Sequence, residues 1–211
     1  MKELFDKLWR ANDENEVSRV LASSSDRDAF EWRPLPLGAG TTGSSESNFS
    51  VIENQQSSPV AALIEKITNS IDALLMRRCY ERGIDPRSSA APRTMAEAIT
   101  QFYSPACKGW HLQGARKAQA EDIQILASGS TKNPCLLIYD AGEGQSPDAF
   151  ETTFLSLLRG NKNDIPFVQG KYNMGGTGAL VFCGKNRYQL IGSRRYDGKS
   201  EFGFTLVRRH P

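Results

Sequence analysis

One stretch of the sequence places an acid, an amide and a second acid on one side of a predicted helix. Glu65, Asn69 and Asp72 occupy positions i, i+4 and i+7, which puts them within a stripe of roughly 60°. A solvated polar face is the ordinary interpretation of such a column. Asn and Asp are nevertheless poor mid-helix residues, because their side chains compete with the backbone for hydrogen bonds. The column is therefore a candidate part of a functional site.

A second candidate group follows an apolar strand, where Asp140-Ala-Gly142-Glu-Gly144 comes directly after Leu136-Leu-Ile-Tyr. An aspartate at the end of a buried strand can accept a hydrogen bond from the exocyclic amine of a ligand. The two glycines would let a flat ligand approach the backbone, because no Cβ stands in the way. An ordinary turn between a strand and a helix is the alternative interpretation.

The third candidate group is a glycine-rich segment that begins at Gly170, in which Gly175-Gly-Thr-Gly178 precedes a predicted helix. Backbone N–H groups at such a helix start can bind phosphate oxygens, and the positive end of the helix dipole adds to the attraction. Lys162 and Lys171 are candidate charge partners of the phosphates. A flexible loop is the alternative interpretation.

In this order, the three groups resemble the nucleotide motifs of the GHKL superfamily, which includes gyrase B, the large heat-shock chaperones, sensor histidine kinases and MutL. The resemblance covers roughly residues 59–208. It rests on Glu65-x-x-x-Asn69-Ser-x-Asp72-Ala73, Asp140-x-Gly142-x-Gly144 and Gly175-Gly-Thr-Gly178. It implies an α+β protein with the Bergerat fold, a two-layer sandwich with helices on one face of a mixed, mostly antiparallel sheet.

The resemblance also implies a role for each matching residue. Glu65 would be the general base, Asn69 would bind Mg²⁺ through its side-chain oxygen, and Asp140 would accept a hydrogen bond from the adenine amino group. Asp72 would support the adenine hydrogen bonds, partly through water, and Gly144 would leave room for the base. The other implied nucleotide contacts are Ala73, Gly142, Lys162, Lys171, Gly175, Gly176, Thr177, Gly178 and Ala179.

The function implied by the resemblance is Mg²⁺-dependent binding and hydrolysis of ATP, coupled to lid closure and homodimerisation, which would control a protein partner or a C-terminal effector. Glu65 favours hydrolysis because water must be activated, and the N-terminal helix contains no His to accept a phosphate. The Asn-Ser-x-Asp-Ala stretch is most similar to the chaperone, MutL and MORC branch. Two alternatives stay open: a histidine-kinase-like phosphotransfer domain, and a nucleotide-binding regulatory module with little turnover.

The elements that must position these residues follow from local sequence patterns. Apolar spacing predicts an amphipathic helix over residues 3–21, with a break at 12–15, and a polar mobile arm over 38–58. Ser57-Ser58-Pro59 predicts the start of a helix that runs from Val60 to about Tyr80 and ends near Gly83. We therefore expect an N-terminal helical extension with a flexible arm over residues 1–58, and an ATP-binding domain over residues 59–211.

The other predicted elements are shorter and are separated by loops. We expect a short helix over 95–103 within an otherwise irregular stretch, and a hairpin of residues 122–127 and 135–139 with its turn at 128–133. A helix from Pro147 to about Leu158, a polar loop over 159–178, a short helix over 179–183 and a second hairpin over 187–208 follow. The strand that such hydrolases place late, with a buried Thr beside the adenine-binding Asp, would lie beyond Pro211. Thr205 lies one strand early, so a fragment of a larger protein is expected.

Composition limits the class of protein. Hydrophobic residues make up 39% of the 211 residues, and counting the 18 Gly in place of the 6 Tyr gives roughly 45%, which is typical of a globular chain. The net charge of +2 gives no reason to expect a nucleic-acid or anionic membrane surface. The four widely spaced cysteines form no CxxC motif, which argues against zinc or a disulfide framework and favours a reducing cytoplasm. No apolar run is long enough to span a bilayer.

Overall fold

A computed structural model describes residues 2–23, 30–33, 58–103, 120–155, 162–170 and 178–209. Within these ranges the chain is mixed, with four α-helices and two small antiparallel sheets. This composition is compatible with the predicted α+β class. The described strands form two separate two-stranded sheets, however, and not the single sheet that was expected. None of the described helices combines the length and apolar composition that crossing a membrane requires.

The predicted N-terminal helix is two helices, α1 (Lys2–Trp9) and α2 (Glu14–Ala22), and the predicted break lies between them. Asp13 begins α2, because its side chain accepts a hydrogen bond of 2.8 Å from the backbone N–H of Glu16, which is a common N-cap arrangement. The predicted mobile arm over residues 38–58 lies outside the described residues, apart from Ser58.

Helix α3 (Pro59–Glu81) begins and ends where the sequence predicts. The Ser58 side chain caps its first turn, and proline occupies the first helical position, where no backbone N–H is needed. At the other end Gly83 adopts a φ of +68°, and its N–H donates to the carbonyl of Tyr80. A glycine in this conformation is the usual end of an α-helix.

Two hairpins supply the strands, β1 (Ile123–Ser130) with β2 (Asn133–Asp140) and β3 (Gln189–Ser193) with β4 (Gly203–Val207). The predicted turn at 128–133 is too long, because the first ladder continues to the pair Ser130 and Asn133. Gly129 explains the difference: it has a φ of +79°, and a Cβ there would lie 2.5 Å from the carbonyl oxygen of Asn12. Gly129 is therefore part of β1, although the turn-forming residues around it predicted a loop.

The main hydrophobic core lies between α3, α4 (Met95–Tyr103) and the segment 162–170. The last of these was predicted as part of a polar loop; it is irregular as predicted, but its apolar residues belong to the core. Ile165, Phe167 and Val168 are fully buried, which contributes roughly 5–8 kcal/mol as an upper estimate. This burial holds the backbone that leads into the glycine-rich segment.

Other boundaries also differ from the predictions. The helix predicted from Pro147 is a 3-10 helix, Pro147–Thr152, because the hydroxyls of Thr152 and Thr153 both donate to the Ala149 carbonyl and compete with helical bonding. The short helix predicted over 179–183 is a 3-10 turn, Leu180–Phe182.

The apolar side of α3 is only partly buried. Leu74 is 6% exposed, but Val60 and Ile64 are 63% and 57% exposed, so the described part of the chain does not cover the first turns of the helix. The helix contacts β2, and the contacts around Ser70 and Ala73 described below place its middle against the end of that strand.

Candidate functional site

The Asp72 side chain is completely buried, so the column on α3 is not a solvated face. Its carboxylate accepts hydrogen bonds from the backbone N–H groups of Gln169 at 3.0 Å and Gly170 at 2.7 Å. Burial raises the pKa of Asp72, and the two backbone donors and Lys162 oppose this shift. Asp72 therefore connects the segment 162–170 to α3, a contact that the sequence did not predict. The predicted role of Asp72 in supporting the adenine hydrogen bonds stays a prediction.

Asn69 faces the same segment from the preceding turn of α3. A Cβ on Gly170 would collide with the Oδ1 atom of Asn69, so this close approach requires glycine. Within the described ranges, no hydrogen bond engages the half-buried side chain of Asn69. The first residue of the glycine-rich segment thus lies against a side-chain oxygen that retains its capacity to bind a ligand.

Asp140 ends β2 with its carboxylate turned toward α3. The Ser70 hydroxyl donates to Oδ2 at 3.1 Å, and the Gly142 N–H donates to Oδ1 at 3.0 Å. Burial raises the pKa of Asp140, while Gly142, Ser70 and Lys162 lower it. A carboxylate has about four acceptor positions, so two donors leave room for a further one from a ligand.

The turn after Asp140 is fixed directly to the backbone of α3. A Cβ on Gly142 would collide with the Cβ of Ala73, and the N–H of Glu143 donates to the Ala73 carbonyl at 3.0 Å. Two small residues therefore let the turn and the helix touch, which explains why Ala73 and Gly142 occur together. Because the N–H of Gly142 also donates to the Asp140 carboxylate, this contact holds Asp140 near α3.

Glu143 is a site residue that the sequence patterns did not indicate. Its Oε1 atom lies 3.9 Å from the Nζ atom of Lys162. Burial raises the pKa of Glu143, and Lys162 and Arg195 oppose this shift. The Lys162 charge also lowers the pKa of Asp72 and Asp140. Lys162 thus lies beside the Glu143 carboxylate, and its predicted contact with phosphates stays a prediction.

Gly144 is required by backbone packing. It adopts a φ of +61°, and a Cβ there would collide with the carbonyl oxygen of Arg194 at the end of β3. This approach by itself requires glycine, and the predicted role of Gly144 in leaving room for the base stays a prediction.

Replacement of Gly144 by Ala is expected to destabilise the protein by about 2–4 kcal/mol, because a left-handed backbone and an overpacked contact add their costs. Gly198→Ala is a matched control, since Gly198 has a φ of +70° but a Cβ added to it would meet no atom within 4 Å. The free energy of unfolding of Gly198→Ala should be only about 1 kcal/mol lower than that of the wild type. Urea denaturation of both variants measures the difference, and equal losses would contradict the close contact with Arg194.

Glu65 lies nearly two turns before Asp72 on α3 and is half-buried. Burial raises the pKa of Glu65, and neighbouring Lys66 lowers it. Burial of its ammonium group lowers the pKa of Lys66 to about 8, whereas the neighbouring Cys183 and Glu65 side chains act in the opposite direction. The Cys183 thiol donates to the Ala179 carbonyl at 3.2 Å. The chain just after the glycine-rich segment therefore lies near the first half of α3.

The structure brings many of the predicted residues together, and it does not describe some of the others. The convergent set consists of Ser70, Asp72, Ala73, Asp140, Gly142, Glu143 and Lys162. Buried Gly178 and half-buried Ala179 lie at the far end of the glycine-rich segment. Four predicted nucleotide contacts lie outside the described residues: Lys171, Gly175, Gly176 and Thr177. Among the residues that are described, no group of three or more His, Cys, Asp or Glu side chains is arranged to hold a metal ion.

The buried Asp72 contact predicts contrasting effects for two substitutions. Asp72→Ala should destabilise the protein by about 2–4 kcal/mol, because two backbone N–H groups lose their acceptor in the interior. Asp72→Asn keeps one acceptor oxygen and should remain within about 1 kcal/mol of the wild type. Thermal or urea unfolding measures both; equal destabilisation would contradict the role of Asp72 as an acceptor.

The same residue predicts a pH dependence. Because burial raises the pKa of Asp72, the folded chain binds more protons at this group than the unfolded chain does above the ordinary pKa of about 3.9. The contribution of Asp72 to stability therefore falls as the pH rises through this window. Asp72→Asn removes the contribution, so the stability difference between wild type and variant should change in this direction as the pH rises above about 4.

Comparison with known proteins gives no relative from which a role could be transferred: no protein-family model matches the sequence, and no curated protein or solved structure is similar to it.

Proposed function

We propose that the chain is a GHKL-type module that binds ATP with Mg²⁺ and hydrolyses it. One observation carries the proposal: Gly170, the first residue of the glycine-rich segment, lies against the Asn69 side chain on α3. Asn69 is one turn of the helix from Glu65 and nearly one turn from Asp72. We expect a phosphate chain bound by the glycine-rich segment to lie beside this column.

The carboxylate of Asp140 is the proposed acceptor for the adenine amino group. Its two structural donors, Ser70 and Gly142, fix the carboxylate without using all of its acceptor positions. The neighbouring charge of Lys162 opposes the effect of burial and favours the ionised form, which is the stronger acceptor. The approach of Gly142 to Ala73 keeps this end of the site narrow.

Asn69 is the proposed protein ligand of Mg²⁺. Its amide oxygen is a hard ligand of the kind that the ion prefers, and Mg²⁺ usually keeps waters and substrate phosphates as its remaining ligands. A single protein ligand is thus sufficient. A magnesium site at Asn69 therefore does not require a group of three or more His, Cys, Asp or Glu side chains, and the described residues contain none. When bound, Mg²⁺ neutralises charge that develops on the phosphates.

Glu65 is the proposed general base. A general base works best when its pKa lies near the working pH, and burial moves the pKa of Glu65 upward from the ordinary range of a carboxylic acid. Glu65 is one turn before Asn69, so a water beside the terminal phosphate would be within reach of both side chains. The role of Glu65 would be to orient this water and take up its proton.

The proposed domain organisation extends beyond the described residues. We propose that the two hairpins and α3 belong to a Bergerat-type sandwich, with residues 1–58 as an extension and 59–211 as the ATP-binding domain. Lid closure over the phosphates would favour a homodimer through the N-terminal segment, controlling a partner or effector. The cytoplasmic location expected from the cysteines also stays a prediction.

Binding and turnover of ATP test the proposal directly. ATP with Mg²⁺ should raise the melting temperature, corresponding to about 2.7 kcal/mol at a ligand concentration one hundred times the dissociation constant. Phosphate release without a partner supports hydrolysis, whereas transfer of labelled γ-phosphate to a partner supports a kinase. No shift and no calorimetric heat with ATP would overturn the proposal.

A further inference from the structure

The peptide unit between Ala141 and Gly142 connects the proposed adenine acceptor to α3. Its N–H end, on Gly142, donates to Oδ1 of Asp140 at 3.0 Å. Its carbonyl end, on Ala141, accepts a hydrogen bond of 2.7 Å from Nη1 of Arg77. A peptide unit is planar, so its N–H and carbonyl groups turn together. The orientation of this one unit therefore determines both contacts.

Two further contacts hold the Arg77 guanidinium in place. Its Nε donates to the Glu81 carboxylate, one turn further along α3, at 2.7 Å. Its Cζ atom lies 5.8 Å from the ring centre of Tyr196, within the range of a cation–π contact. The N–H of Tyr196 donates in turn to the carbonyl of Glu143 at 3.0 Å. The guanidinium is therefore held both by α3 and by the chain that follows β3.

The charge of Arg77 strengthens its effect on the peptide unit. A hydrogen bond with a charged donor is stronger than one between neutral groups, and the Arg77 side chain is only 28% exposed. A cation at the carbonyl end also polarises the unit, which makes the N–H at the other end a better donor. If the unit rotated, Ser70 would be the remaining hydrogen-bond donor to Asp140 among the described residues.

We infer that Arg77 is a positioning residue of the adenine site, which orients the peptide unit between Ala141 and Gly142 and thereby holds the Asp140 carboxylate for the adenine amino group. The inference rests on the proposed function. Arg77 acts through Asp140 and takes no part in the reaction at the phosphates. Its loss therefore reduces the affinity for the base and leaves the hydrolysis of bound ATP unchanged.

Calorimetric titration with ATP and with purine riboside triphosphate, an analogue that lacks the exocyclic amino group, tests this role. We expect Arg77→Met to weaken ATP binding about tenfold, because the carboxylate is no longer held in position. The analogue has no amino group to donate to Asp140, so its affinity should be nearly unchanged and the preference for ATP should fall. Phosphate release at saturating ATP should keep the wild-type rate.

Arg82→Met is the matched control. Arg82 follows the last residue of α3, and its Nη1 also donates to a backbone carbonyl at 2.7 Å, that of Gln101 in α4. Its guanidinium also lies over an aromatic ring, that of Phe102, at 4.7 Å. The substitution removes the same kinds of contact without touching the turn after Asp140. The affinity of Arg82→Met for ATP should therefore equal that of the wild type.

Arg77→Lys tests for partial rescue. Lysine keeps a charged donor for the Ala141 carbonyl but lacks the planar fork that also binds Glu81, so this variant should lose less affinity than Arg77→Met. Wild-type affinity in Arg77→Met, an equal loss in Arg82→Met, or equal losses for ATP and the analogue would each overturn the inference and leave the proposed function in place. A wild-type chain that binds no ATP would overturn both.

Discussion

Asp140→Asn is expected to reduce the affinity for ATP about 100-fold or more, equivalent to ~3 kcal/mol, without unfolding the protein. The Gly142 N–H holds an acceptor oxygen at the present position of Oδ1, so an asparagine would keep its oxygen there. Its NH₂ group would then stand where the adenine amine has to donate. Two donors facing each other in a buried site lose the hydrogen bond and leave polar hydrogens unpaired.

Asp148→Asn provides the matched control for this prediction. Asp148 lies eight residues later, on the exposed part of the 3-10 helix that begins at Pro147, and the substitution removes the same charge. Calorimetric titration of both variants with ATP and Mg²⁺ should show a loss for Asp140→Asn alone. Unchanged affinity in Asp140→Asn would falsify its adenine-reading role, provided that the wild-type chain binds ATP.

The sequence predicted the helix ends that depend on neighbouring residues. The bounds of α3 follow from Ser58, Pro59 and Gly83, whose effects on helix ends require no tertiary information. The break between α1 and α2 follows in the same way from the Asp13 cap. These elements are correct to within about one residue because their ends are set by neighbours in the sequence.

Tertiary contacts explain the predictions that were wrong. Residues 162–170 contain too few apolar side chains in a regular period to predict a core, yet Ile165, Phe167 and Val168 are completely buried. Similarly, Gly129 indicated a turn, but the carbonyl of Asn12 approaches it from a distant part of the chain. A period of 2 or 3.6 residues carries no information about such irregular or long-range packing.

The residues of the candidate site also differ in whether the local sequence could identify them. Asp72 and Asp140 were found because their residue types and spacing are unusual, and the structure shows Asp72 buried and Asp140 half-buried. Glu143 was missed, since a glutamate between two glycines is typical of an exposed turn. Lys162 was assigned to the phosphates only because it is positively charged. Its position beside Glu143 depends on the fold of segment 162–170, which the local sequence does not indicate.

Glu65→Gln is expected to slow ATP hydrolysis by a factor of about 10²–10⁴, while the affinity for ATP stays within about twofold of the wild type. Glutamine keeps the size and polarity of the side chain but cannot take up a proton from water. Because burial raises the pKa of Glu65, the wild-type rate should also decline on the acid side at a pH above the ordinary glutamic acid pKa of about 4.3. The variant should lose this acid limb.

Glu201→Gln is the control, because Glu201 is exposed and the substitution removes the same charge. Phosphate release is measured across pH with ATP binding followed in parallel, so that a loss of turnover is not confused with a loss of affinity. Turnover at the wild-type rate in Glu65→Gln would reject the general-base role while leaving binding at Asp140 intact. A parallel loss of both would instead identify Glu65 as a structural residue of α3, because a general base acts on the reaction and not on the stability of the bound complex.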